Sequence, residues 1–163
     1  MGESESGLAL QARKWGKEGK HEQAFLTCWG FIELTVDVAV RDEFNIPDIA
    51  DFADDSEAIE GIIPREDFLL EAPFVKKLGF LKKTGYLTKA EWKAIDKFRE
   101  ARNKIVHHYL DSPLSAHSFS PTDLGLKERE EILVIGIKAV RAAGDALTRR
   151  NKEQIRRAKE ASA

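Results

Sequence analysis

One short stretch carries most of the chemistry this sequence could perform. The run Arg102-Asn-Lys-Ile-Val-His107-His-Tyr109 brings a guanidinium, a primary amide and an imidazole close together in the chain. Arginine stays charged on burial and presents a planar fork of donors that matches a phosphate. Histidine titrates near neutrality and can move the proton of an attacking hydroxyl or a leaving group. Arg102 to steady charge on a phosphate and His107 to transfer a proton, with the amide of Asn103 beside them, are the equipment for phosphodiester chemistry without a metal.

Placing the stretch on a helix sharpens it. At about 100° per residue, Ile95, Phe98, Val106 and Tyr109 all fall within about 40° of Arg102. The arginine therefore stands in the middle of an apolar stripe, where an unpaired charge is costly. Either the stripe faces a cleft rather than a sealed core, or a carboxylate such as Glu33, beside Ile32 and Val36, meets the charge. His107 lies about 140° round, with Arg99 and Asn103 between, so these four form a polar strip beside the stripe. Arg99, Lys104 and Tyr109 are the candidate substrate-binding residues. His108 points to another side, and the isolated His21 and His117 receive no role.

The elements that must position this strip are helical throughout. A short polar helix is expected over Leu8–Lys20, interrupted by Gly16 and Gly19. From His21 to Asp42, Phe25, Trp29, Ile32, Val36, Ala39 and Val40 recur at spacings of three and four and define one buried face, and Asn45-Ile-Pro47 ends it. A loop with a short helix near Ser56–Glu60 follows, then a helix from about Pro64 that Pro73 kinks or breaks and Gly85 stops. Thr88 and Glu91 form a capping box that opens the motif helix, which Asp111-Ser-Pro113 closes. A last helix from Pro121–Asp123 carries Ile132, Leu133, Ile135, Ile137, Val140, Ala143 and Leu147, and its end, residues 148–163, is a basic helical tail. Residues 1–6 are expected to be disordered. The expectation is a single all-α domain over residues 1–163, an up-and-down four-helix bundle with an extra N-terminal helix and an acidic insert.

Composition narrows the function classes. The chain has 163 residues, 42% hydrophobic and 33% charged, with a formal net charge of −2, so it can bury a core and its overall charge selects no partner. The charge is unevenly spread: residues 42–71 hold eleven acids and one base, whereas residues 76–110 hold ten bases and three acids. Either the two segments neutralise each other, or the basic helices face a polyanion. The single cysteine, Cys28, excludes an intrachain disulfide and a cysteine-based zinc site, and reads as a small core residue. No metal and no cofactor are expected: a phosphate-cradling glycine loop is missing, and Asp51, Asp54 and Asp55 lack the glycine and glutamate of a calcium loop. No stretch reads as a membrane span or signal peptide, so no membrane partner and a cytoplasmic location are expected. Trp15, Trp29 and Trp92 read as core or interface residues.

The motif Arg102–x4–His107–x–Tyr109, at the end of its helix, resembles the signature of the HEPN superfamily, especially HepT-type toxins. Asn103 matches the polar residue that commonly follows the arginine there. The upstream stretch FLKKTGYLTKAEWKAIDKFREARNKIVHHYLD is also similar, and Glu33 with Asp37 resembles acidic positions of the first long helix. The resemblance covers about residues 21–150. It implies a homodimer through the motif helices, with both copies of Arg102 and His107 lining one cleft. It implies a metal-independent endoribonuclease, a toxin or stress effector, that cleaves RNA by attack of the ribose 2′-hydroxyl, or a non-catalytic HEPN dimer that acts as a binding or regulatory module. In HepT-type proteins the tyrosine matching Tyr109 is modified by a nucleotidyltransferase antitoxin, which makes such a protein a possible partner. The N-terminal extension, the acidic insert at about 42–67 and the basic tail depart from compact HepT proteins.

Overall fold

A computed structural model describes residues 7–44, 71–110 and 125–162 of the chain, with the backbone alone for 105–110. The described residues are all-α, in five helices: α1 (Gly7–Lys17), α2 (His21–Phe44), α3 (Phe74–Lys83), α4 (Lys89–Leu110) and α5 (Leu126–Ala161). The expected short helix near Ser56–Glu60, the helix start at Pro64, the closing Asp111-Ser-Pro113 and the last-helix start at Pro121–Asp123 lie outside them.

The helix boundaries follow from local chemistry. The Thr88 N–H donates to Glu91 Oε2 at 2.8 Å and the Glu91 N–H donates to Thr88 Oγ1 at 3.2 Å, the reciprocal box expected from the sequence. Gly85 takes φ 80° just past the end of α3, a left-handed conformation that disfavours a side chain. Pro73 stands immediately before α3, where its missing N–H costs nothing. Glu128 reaches back to the Gly125 N–H at 3.3 Å to open α5. Gly16 does not interrupt α1 as expected: α1 runs through it, and a Cβ there would overlap Leu133 of α5. The residue is a point of close helix contact.

The bundle is organised around α5, which packs against α4, α2 and α1, while α1 lies on α2 and α3 touches both α2 and α4. Ile32, Val36, Leu78, Leu81, Ile95, Phe98 and Val140 are among the fully buried core side chains. Gly136 is what lets α5 approach so closely. A Cβ at that position would lie 3.0 Å from the Phe98 ring and 3.3 Å from Cys28 Cβ. Cys28 is accordingly buried, and that burial pushes its thiol up to about 11, which leaves it a core residue.

The basic tail is not uniformly solvated. Its first residues dock: Arg149 donates to Glu91 at 2.9 Å and to the Tyr86 carbonyl at 2.7 Å, and Arg150 donates to Glu43 at 2.6 Å. Beyond Glu153 the helix is exposed, with Arg156 and Arg157 paired within it to Glu160 and Glu153. The tail thus clips the end of α2 and the start of α4 before it projects.

α2 is more apolar than the sequence reading allowed. It is long and apolar enough, by length and composition, to cross a membrane, and half of its most apolar window is buried inside the fold. The excess comes from Leu26, Leu34 and Val38, which are exposed on its outward side.

The close approach at Gly136 yields a stability prediction. Gly136→Val forces β-branched volume against Phe98 and Cys28, and overpacking of this kind costs about 1–3 kcal/mol. Urea denaturation should show a lower midpoint with an unchanged slope. A midpoint at or above the parent's would mean that α5 is free to move away.

Candidate functional site

The site begins with an aromatic seam between α2 and α4. Trp29 is 8% exposed, with its ring centre 5.0 Å from that of Phe74 and 6.0 Å from that of Phe98. Phe25 meets Phe98 edge-on at 5.2 Å. These rings span the distance between the two helices, and edge-to-face geometry suits their quadrupoles. Arg102 closes the seam: its Cζ lies 4.5 Å from the Trp29 ring centre. The guanidinium is partly buried, and it meets an aromatic face where the sequence reading offered a carboxylate.

Glu33 is exposed and forms no ion pair with Arg102 among the described residues. Asp37 is engaged elsewhere, accepting from the buried Lys77 of α3 at 2.7 Å. Arg99 is tied along its own helix to Asp96 at 2.6 Å, with Glu100 at 3.8 Å. Asn103 is partly buried beside Arg102, and Lys104 is exposed. The backbone of α4 stays helical through Leu110, so His107 and Tyr109 are on the same helix as Arg102, and their side chains lie outside the described residues. The structure therefore keeps Arg102, Asn103 and Arg99 together in the middle turns of α4, and it separates Glu33 from them.

Two features escaped the sequence reading. The Trp29–Arg102 contact joins residues 73 positions apart, and only the position of Trp29 on the buried face of α2 hinted at it. The second is a polar centre at the other end of the seam's scaffold. Tyr86 is 5% exposed, and its hydroxyl and the Nε of Arg150 have no hydrogen-bond partner among the described residues. Burial, with the Asp42 charge adding to it, pushes the Tyr86 phenol up to about 12. Burial also raises the Asp42 carboxyl, although Arg150 works against it. Glu91 is held below the usual range: its burial acts upward, but hydrogen bonds from Arg149 and Thr88 outweigh it.

An open groove of about 510 Å³ runs on the outer side of the bundle, lined by Lys97 of α4 and by Lys127, Glu130, Glu131, Val134, Ile135 and Lys138 of α5. Among the described residues no group of three or more histidine, cysteine or carboxylate side chains could hold a metal ion. The chain matches no family model, no curated protein and no solved structure.

Two measurements check this geometry. A double-mutant cycle of Trp29→Leu and Arg102→Met should give a coupling of about 0.5–2 kcal/mol; a coupling of zero would remove the stack. The carboxylates should act on stability in opposite senses. Glu91 has a depressed folded pKa, so its contribution is present above its unfolded pKa and is lost as pH falls through the folded one. Asp42 has a raised folded pKa, so its ionisation at neutral pH costs stability. Asp42→Asn should therefore stabilise at pH 7 and Glu91→Gln destabilise, and both differences should shrink below about pH 4, near the ordinary carboxylate pKa values. Thermal melts at both pH values read the signs.

Proposed function

We propose that the chain is a HEPN-type, metal-independent endoribonuclease that acts as a homodimer through its motif helices. In this reading α2, α3, α4 and α5 are the up-and-down four-helix bundle, and α1 is the addition. The observation that carries it is the state of Arg102. An arginine stacked on Trp29 keeps its edge N–H groups for an anion, whereas one locked to a core carboxylate would not.

The mechanism follows from the residue types. His107 takes the proton of a ribose 2′-hydroxyl, and the 2′-oxygen forms a bond to the adjacent phosphorus. Arg102 stabilises the charge that builds on the phosphate oxygens, and Asn103 orients the group. The bond to the 5′-oxygen breaks, and an imidazolium returns a proton to it. The products are a 2′,3′-cyclic phosphate and a 5′-hydroxyl. Two copies of Arg102 and His107 across a dimer seam supply both the base and the acid. Tyr109, beside the site in sequence, is the residue a nucleotidyltransferase antitoxin would modify.

One observation favours a second reading, a non-catalytic HEPN dimer that binds or regulates. Arg99 is committed to Asp96, which withdraws one cation from the strip.

Purified protein decides between them. The nuclease reading expects cleavage of single-stranded RNA that survives EDTA and leaves cyclic-phosphate ends. Arg102→Ala and His107→Ala should each lower the rate about 100-fold or more, within the range of a lost acid–base or charge-stabilising group. Intact RNA with and without EDTA would leave the binding module as the reading.

A further inference from the structure

The outward side of α4 carries a row of lysines, of which Lys104 alone is a candidate substrate-binding residue of the proposed site. Lys89, Lys93 and Lys97 follow one another at intervals of four, and Lys104 lies seven further on, so all four share one face. All four are exposed. Like charges at this spacing destabilise a helix, and no ion pair among the described residues relieves them. The three acids of α4 are directed to arginines: Glu91 to Arg149, Asp96 and Glu100 to Arg99. Lys127 and Lys138 of α5 are also exposed and line the same groove as Lys97. None of the six lysines is in an ion pair among the described residues.

We infer that this ridge and the α4–α5 groove form a binding track for the phosphate backbone of single-stranded RNA, separate from Arg102. The inference rests on the ribonuclease reading for its choice of polyanion. Successive lysines at an interval of four stand about 6 Å apart along the helix axis, so several can contact one strand at once. Lys97, Lys127 and Lys138 line the groove together with the aliphatic Val134 and Ile135, a lining that suits a nucleotide, its phosphate to the lysines and its base to the aliphatic side chains. Glu130 and Glu131 also line the groove; they repel phosphate and can accept from the amino groups of a base. Because α4 and α5 are closely packed, the track is preformed.

Fluorescence anisotropy of a labelled 20-nucleotide uridine strand with the full-length chain, titrated across salt concentration, tests this. Each neutralised phosphate of a single strand contributes about −0.7 to the slope of log affinity against log salt. Lys97→Glu with Lys138→Glu should weaken binding at least about tenfold at low salt and flatten that slope by about 1.4, two contacts' worth. Lys97→Gln with Lys138→Gln, which introduces no new charge, should act in the same direction with an unchanged circular dichroism spectrum. Parent-like binding by both lysine pairs overturns the track while leaving the nuclease reading intact. No binding by the parent chain also overturns it, as does polyglutamate binding with the same affinity and slope. RNA that binds through the lysines and is never cleaved supports the track and sinks the nuclease reading.

Discussion

An arginine cannot give up its charge, and the placement of Arg102 depends on what is built beneath it. The guanidinium lies on Trp29, and Trp29 is fixed from two sides by Phe74 and Phe98. Phe98 in turn seats against Gly136 of α5, where a Cβ would lie 3.0 Å from its ring. The chain of dependence runs from a missing methyl group on the last helix, through two aromatic contacts, to the cation at the motif. A guanidinium over an indole face is worth about 0.5–2 kcal/mol depending on desolvation, and it leaves the donors at the guanidinium edge unspent. A buried carboxylate partner would hold the arginine more tightly but would occupy those donors.

The charges elsewhere in the bundle are sorted in a consistent way. Arginines make the cross-helix ties: Arg149 and Arg150 join the end of α5 to α4 and α2. Planar forks suit such shared, partly buried acceptors. The lysine at a buried position, Lys77, is matched by Asp37. The remaining lysines of α4 stay on the outside, and Lys82 covers the face of Trp92 at 3.8 Å. The strain in this scheme falls on the buried Tyr86 hydroxyl and the Arg150 Nε, which have no hydrogen-bond partner among the described residues, and on the half-buried Asp42, whose carboxyl is raised by burial. The stacked Phe44 and Phe80 rings, 4.6 Å apart, pack α2 against α3 a short way along the chain.

Features that depend on a few adjacent residues were legible in the sequence. The Thr88–Glu91 box, the stop at Gly85 and the buried faces of α2 and α5 all follow from local spacing. The all-α class follows from the same periodicities. Features that depend on how helices are rotated against one another were not. Glu33 sits next to the buried face in sequence, yet in the fold it is exposed, and Trp29, one turn earlier, lies under Arg102 instead. Arg149 and Arg150 read as tail residues because their partners lie 58 and 107 positions away. Gly16 reads as a breaker because nothing local announces Leu133. The Asp96–Arg99 pair was within reach of sequence reasoning, since an acid three residues before a base on a helix is a standing pair. The motif drew the eye to Arg99 as a free cation and hid that simpler reading.

The placement of basic residues on α4 also separates two kinds of binding energy. Arg102 stands about 140° to 180° around the helix from Lys97 and Lys93, so the two sets cannot meet the same phosphate. A lysine that grips a distant phosphate makes the same contact before and during a reaction; it tightens association without lowering the chemical barrier from the bound state. A guanidinium at the scissile phosphate meets charge only as it develops, and that contact is what accelerates bond breaking.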